Sequence, residues 1–299
     1  MPEALPIRYV EPVFRPPSEA QSLILPVTDG CSWNQCTFCE MYTAPQKAFR
    51  ARSEDEVVDS IRRVAAIYGD QLRRVFLADG DALVLPTRRL LTILEAIRTH
   101  LPAVRRISSY CLPRNLRKKS LAEMQALAAA GLGMVYVGAE SGDDTVLARV
   151  NKGETFDTTR AALDVLGEAG ISRSVMILNG LGGIAHSDAH ADASARLANA
   201  TQPEYLSTLV VSFPQGEARF RAGFPEWEAL DQAGLFAEME RFVSQLDLKR
   251  TVFRSDHASN WLVLKGTLGA DKARLLAQIQ AARRAPEQAG LRPDWARGL

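Results

Sequence analysis

Apolar residues along the chain alternate between short β-rich runs and longer runs at helical spacing. Ser22-Leu-Ile-Leu-Pro26 reads as a short strand. Ser53 then offers an N-cap with Glu56 at the third helical position, and Val57, Val58, Ile61, Val64, Ala65 and Tyr68 follow at helical spacing. Arg74-Val-Phe-Leu-Ala78 is the next strand, closed by Asp79-Gly-Asp81, and Thr87 starts a helix carrying Leu90, Leu91, Leu94 and Ile97. Val104 to Cys111 reads as a third strand, and Leu121 to Ala130 as a helix stopped by Gly131. Met134 to Val137 is a strand running into Gly138-Ala-Glu-Ser-Gly142, followed by helices around Asp144 to Val150 and Phe156 to Ala169. Ser174 to Leu178 ends in Asn179-Gly-Leu-Gly-Gly183, a small-residue helix covers Asp188 to Ala198, and Tyr205 to Ser212 supplies the sixth strand.

Strands alternating with helices in this way predict a parallel sheet covered by helices, an α/β fold. Periodicity leaves open whether the sheet closes as a barrel. Either way, such sheets present ligands at the carboxyl ends of their strands. The loops that deserve chemistry are therefore those after each strand. From about Gln215 the pattern changes to a helical stretch (Trp227 to Leu246), a polar run from Thr251 to Trp261, a helix from about Ala270 to Arg284, and a tail.

Composition narrows the class. The 299 residues are 46% apolar and 24% charged, the balance of an ordinary globular protein. With 36 Lys and Arg against 35 Asp and Glu, the net charge is +1, which argues against a dedicated nucleic-acid or anionic-membrane surface. No apolar run approaches the roughly 20 residues of a membrane span. The start, Met-Pro-Glu-Ala-Leu-Pro-Ile-Arg, lacks the pattern of a secretory signal, so the expected location is cytoplasmic.

Three of the four cysteines, Cys31, Cys36 and Cys39, form a C-x4-C-x2-C run after the first strand, and Cys111 stands apart. Clustered thiols in a large chain point to a metal or redox site rather than a disulfide framework. Structural zinc prefers four protein ligands, and the loop holds neither a fourth Cys nor a His. A zinc site completed by a distant His stays open as an alternative. A [4Fe–4S] cluster held by three thiolates leaves one iron for a small molecule.

The loop resembles that of the radical S-adenosylmethionine (SAM) superfamily, whose usual form is C-x3-C-x-aromatic-C. Phe38 matches the aromatic, while the first gap is one residue longer. Asp79-Gly-Asp81 stands where the superfamily has a Gly-Gly-Glu-type motif holding the SAM amino group, and departs from it in residue identity. Gly138-Ala-Glu140-Ser-Gly142 with Val150-Asn-Lys-Gly153 is similar to the fourth-strand segment of coproporphyrinogen-oxidase-like and methylthiotransferase-like members. Ile177-Leu-Asn-Gly-Leu-Gly-Gly183 resembles the fifth-strand segment that packs against adenine.

The resemblance implies a partial (β/α)6 TIM-like barrel over residues 20–212, with an N-terminal extension over 1–19 and a C-terminal α/β cap and tail over 213–299. It implies a [4Fe–4S] cluster on Cys31, Cys36 and Cys39, and SAM held near Phe38, Tyr42, Asp79, Asp81, Glu140, Ser141, Asn179 and Gly180. Reductive cleavage of SAM to a 5′-deoxyadenosyl radical, and hydrogen abstraction from a small-molecule or peptide substrate, would follow. The electron donor would be a flavodoxin- or ferredoxin-type protein, and the enzyme would be oxygen-sensitive. A cobalamin-dependent methyltransferase is less favoured. A non-catalytic protein that binds cluster and SAM is the remaining alternative.

Three further residues are candidates on the substrate side. Cys111 ends a strand and could donate a hydrogen atom, although a lone strand Cys is more often a small buried apolar residue. His257 and Asn260, in the polar run before Trp261, could line the substrate cavity or satisfy a turn. His186 and His190, spaced i and i+4, read as a solvated helix face. Arg50 and Arg52 are candidates for the SAM carboxylate or an acidic donor, with surface exposure as the default.

Overall fold

A computed structural model describes residues 6–298. The chain forms β1 (Leu23–Pro26), β2 (Thr28–Asp29), β3 (Arg50–Ala51), α1 (Glu54–Tyr68), β4 (Arg74–Ala78), α2 (Thr87–His100), β5 (Arg106–Tyr110), α3 (Leu121–Ala129) and β6 (Leu132–Glu140). It continues with α4 (Asp144–Arg149), α5 (Phe156–Glu168), β7 (Ser172–Asn179), α6 (Gly183–Thr201), β8 (Tyr205–Val210), α7 (Ala218–Gly223), α8 (Gln232–Gln245), β9 (Val252–Ser255), β10 (Leu264–Thr267) and α9 (Lys272–Arg284). The strands run mostly parallel within each of two units, and β2 pairs antiparallel with β3 apart from them. All six strands expected from the sequence are present, and the α/β class holds.

Two compact units divide the chain. The first takes in residues up to Asn34, Met41–Val137 and Val165–Ser172. Its strands run parallel in the order β1, β4, β5, β6. The register sets Ile24 beside Phe76, Phe76 beside Ser108, and Ser108 beside Met134. Phe76, Ala78, Met134 and Tyr136 therefore share one face, with Ile24 and Tyr110 packed against them. The rings of Phe76, Tyr110 and Tyr136 meet edge to face. The opposite pleat carries buried aliphatics such as Leu25, Val75, Leu77 and Val135. Helix α1 packs on α2 and α2 on α3, each burying an apolar stripe. The Ser53 cap on Glu56 N–H is as the sequence predicts. Buried Glu19 accepts from Ser108, Arg106 and Tyr136, closing one end of this face with satisfied polar groups.

The second unit takes in Gln35–Glu40, Gly138–Asp164 and the chain from Arg173. Strands β7, β8 and β9 are parallel, and β10 turns back antiparallel on β9. Strand β7 alternates strictly: Arg173, Val175, Ile177 and Asn179 are buried, while Ser172, Ser174, Met176 and Leu178 are half-exposed. Two strands in the C-terminal stretch, β9 and β10, carry no hydrophobic signal strong enough to be read in advance. Helix α8 packs on both α6 and α9.

Candidate active site

In the first unit, the cysteine loop leaves β2 through Gly30, whose φ of +72° suits glycine. A Cβ on Gly30 would lie 2.0 Å from the Lys47 carbonyl oxygen, and one on Gly80 would lie 2.3 Å from the Gly30 carbonyl oxygen and 2.6 Å from Cys31 Cα. Bare backbone is required at both points for the turn after β4 to touch the base of the loop. The Asp81 carboxylate completes that clamp. It accepts the Ser32 N–H at 2.9 Å, the Ser32 hydroxyl, and the Asn115 amide at 3.1 Å. Burial pushes the Asp81 carboxyl above its ordinary range, against the Ser32 bonds that hold it down.

Asp79 is held equally firmly. It forms a buried ion pair with Lys47 and accepts the Tyr42 hydroxyl at 3.0 Å. Burial raises the Asp79 carboxyl against the opposing pull of Lys47, and raises the Tyr42 phenol with help from the neighbouring Asp79 charge. Both Asp-Gly-Asp carboxylates thus have protein partners. Trp33, inside the cysteine loop, lies under the Arg114 guanidinium at 3.6 Å. Cys111 is buried just past β5. Its N–H donates to the Tyr136 carbonyl at 2.9 Å, and its thiol faces the Leu112 carbonyl at 3.4 Å.

The second unit carries the other end of the loop. The Thr37 N–H donates to the Val150 carbonyl, and Arg219 donates to the Cys39 carbonyl. Phe38 packs against a core of Val146, Val150, Leu181, Phe220, Phe224 and Trp227. The Lys152 ammonium sits 5.7 Å from the Phe38 ring centre and 3.1 Å from Glu140 Oε1, almost wholly buried. Burial opposes the Lys152 charge, yet Glu140 and then the sulfurs of Cys36 and Cys39 outweigh it and raise the ammonium above its ordinary range. Glu140 itself has φ +65°, and its carboxylate fills the space a Cβ on Gly138 would take, 2.0 Å from that position.

Lys152 and Lys47 are two buried cations that sequence reasoning left without a role. The Val150-Asn-Lys-Gly153 segment was visible, but nothing local signals that its ammonium reaches Glu140.

Other expected residues fall elsewhere. Asn179 and Asn260 border the same small cavity, with Leu235, Phe236, Met239 and Trp261, and its volume of about 20 Å³ suits a water. The Asn260 amide supports β8 and β9: Oδ1 accepts the Val210 N–H at 2.9 Å, and Nδ2 donates to the Thr208 carbonyl and to Ser255. His257 Nδ1 is 3.0 Å from the Ser259 hydroxyl, and burial with Arg292 nearby lowers its pKa. The Gly180 N–H donates to Glu238, and its carbonyl accepts from the Trp227 indole.

Two expectations are overturned. His190 is fully buried against Ser141, not on a solvated face, because it shares the inward face of α6 with Ser194, Leu197 and Thr201 at i+4, i+7 and i+11. Arg52 is likewise buried, forking onto Asp29, and Arg50 joins the same carboxylate. Both arginines brace the β2–β3 hairpin.

The donor set fits an iron–sulfur cluster in its chemistry: three half-buried thiols on one short loop, two of them close enough to the buried Lys152 ammonium for their charges to act on it. Among the described residues, no three His, Cys, Asp or Glu side chains stand together as a preassembled metal cage. The assignment thus rests on ligand type and spacing.

Comparison with known proteins decides the family. The radical SAM superfamily model matches residues 25–197, more than half of the chain. The chain belongs to the radical SAM superfamily. That superfamily uses a [4Fe–4S] cluster and SAM. No curated protein matches the chain in sequence. Among solved structures, the chain is similar to the radical SAM methyltransferase TsrM from Kitasatospora setae, determined with tryptophan substrate and a SAM analogue. The identity is 21% and the TM-score 0.52, over 63% of this chain and 35% of that one. It is also similar to coproporphyrinogen III oxidase HemN from Escherichia coli, at 15% identity and TM-score 0.55, over 75% and 52%. Methylornithine synthase PylB gives 15% and 0.52, over 75% and 63%. The chain thus spans about a third to just under two thirds of these relatives. At these identities the likeness shows the fold, the partial barrel of parallel strands that the family resemblance implies.

Proposed function

We propose that the chain is a radical SAM enzyme in which Cys31, Cys36 and Cys39 hold the cluster. When bound, the cluster supplies one electron that cleaves SAM reductively and yields an oxidant able to abstract hydrogen from a substrate. The chain's own residues bind, orient and exclude water. Asp81 fixes Ser32, and with it the backbone beside Cys31. Lys152 places positive charge against Cys36 and Cys39, favouring their thiolate form, and Phe38 covers the loop with an apolar core. In this reading the turns after β6 and β7 receive SAM, through Glu140, Ser141, Asn179 and Gly180. Tyr42 and Asp79 stand at the side of β4.

The observation that carries the reading is a three-cysteine loop with all three thiols partly exposed, covered at Phe38 by an apolar core and lying within the field of the buried Lys152 ammonium. The substrate is assigned to the class of small molecules or peptides, the electron donor to small acidic flavodoxin- or ferredoxin-type proteins, and the location to the cytoplasm. Among the described residues, no helix is long and apolar enough to cross a membrane. Cys111, His257 and Asn260 remain substrate-side candidates, with Cys111 the one that needs only a thiol to act.

Anaerobic reconstitution tests the proposal. We expect about four iron and four sulfide per chain, and 5′-deoxyadenosine on dithionite reduction with SAM, both abolished by Cys36→Ala. Stoichiometric zinc without iron would establish the zinc alternative. A full cluster with no 5′-deoxyadenosine would favour a non-catalytic SAM-binding protein.

A further inference from the structure

Behind the turns assigned to SAM, the second unit holds a line of three buried polar side chains: Ser141, His190 and Glu238, at 0%, 1% and 2% exposure. Ser141 Oγ lies 2.8 Å from His190 Nδ1 and accepts the Asp143 N–H at 2.9 Å. His190 Nε2 lies 3.9 Å from Glu238 Oε1. That oxygen accepts the Gly180 N–H at 2.6 Å, and Oε2 accepts the Ser187 hydroxyl at 2.7 Å. One turn beyond His190, Ser194 Oγ accepts the Gly142 N–H at 2.9 Å.

For a neutral imidazole, the neighbours favour one of the two tautomers. A neutral imidazole protonated at Nδ1 would aim the Nε2 lone pair at the Glu238 carboxylate, which is repulsive. With the proton on Nε2, the Ser141 hydroxyl donates to Nδ1 and the Nε2–H points toward Glu238. Every member then has a compatible neighbour, as buried polar networks require. The chain of contacts links the turn after β6, helix α6, helix α8 and the turn after β7.

The β6 turn needs such support. Glu140 is a buried non-glycine residue at φ +65°, a conformation that persists only where its surroundings over-determine it. Its two successors are both tied to α6. Ser141 is held by His190 and Gly142 by Ser194. A Cβ on Gly142 would lie 2.2 Å from the Ala193 carbonyl oxygen, so helix and turn touch backbone to backbone.

We propose that His190 and Glu238 are positioning residues that couple the turn after β6 to the turn after β7 and thereby set the affinity for SAM. The inference rests on the reading that these two turns hold SAM. It assigns His190 no contact with the nucleotide and no step in the chemistry.

The test uses the full chain in two forms. On anaerobically reconstituted protein, SAM dissociation constants are measured by calorimetry beside iron content. His190→Phe should weaken SAM by about tenfold, the scale of one lost hydrogen bond in a buried network, at unchanged iron content. His190→Asn, which can still accept from Ser141, should recover to within about threefold of wild type. On cluster-free protein, hydrogen exchange is followed in peptides covering 138–143 and 180–183. Glu238→Gln should speed exchange in both turns, including the one it does not touch. Exchange confined to 180–183, or unchanged SAM affinity in His190→Phe, would overturn the coupling. Wild-type protein with a full cluster and no SAM binding would instead overturn the underlying reading, while the exchange result would still stand on its own.

Discussion

Lys152 concentrates the electrostatics of the site in one side chain. Its ammonium is buried against the Glu140 carboxylate, and the charges of Cys36 and Cys39 act on it as well. Removing one member of such a pair strands the other, at a cost of about 3–5 kcal/mol. Lys152→Met should therefore lower the thermal midpoint of the cluster-free protein and also reduce iron retained after reconstitution. The double variant Lys152→Met/Glu140→Gln separates the two effects. Its midpoint should recover substantially, because no charge is left unpaired, while its iron content should stay low. Recovery of both would remove Lys152 from any role toward the cluster. The three cysteines were legible in the sequence because their spacing is local. Lys152 was not, since its partner Glu140 lies across a turn whose left-handed residue has no signature of its own.

The turn after β4 is the corresponding feature among the elements. Gly80→Ala would drive a methyl group into the backbone of Gly30 and Cys31, so the expected loss is about 1–3 kcal/mol of stability together with lower iron content. Denaturant midpoints and iron analysis of the same preparation check this, and a wild-type iron content would contradict the clamp. At the other end of β7, buried Arg173 forks onto Glu204 and reaches three carbonyls of neighbouring segments. Burial alone would raise the Glu204 carboxyl, but the Arg173 bonds win and hold it below its ordinary value. A carboxyl depressed in the folded state contributes stability above its unfolded pKa and loses it as pH falls through the folded one. Acid unfolding should thus steepen below the ordinary carboxylate range, and Glu204→Gln should flatten that limb. The six parallel strands and their helices were readable from hydrophobic period. The β9–β10 pair was not, because Val252-Phe-Arg-Ser and Leu264-Lys-Gly-Thr are short, polar and joined by no tight-turn signal. Helix α6 starts earlier than its small-residue pattern suggests, and because that pattern has little apolar contrast it does not show that His190 shares the buried face with Ser194 and Leu197.

For the whole molecule, near-zero net charge, parallel strands and membership of the radical SAM superfamily describe an α/β scaffold of the kind that presents its ligands at strand ends. Anything that binds only the folded chain stabilises it, so reconstituted protein should melt at a higher temperature than cluster-free protein and lose that margin on oxidative removal of iron. The substrate-side residues were the least legible part. They depend on which side chains of distant strands face a common space, and periodicity does not report that. Asn260 shows the point, since it bonds to β8 and β9 and also borders a small cavity, and the sequence signals neither. The most direct test of the central claim is electron paramagnetic resonance of the anaerobic, dithionite-reduced protein with and without SAM. The account predicts a reduced [4Fe–4S] signal that changes on SAM addition and is missing in Cys36→Ala. A signal indifferent to SAM, or no cluster signal in wild-type protein, would contradict it.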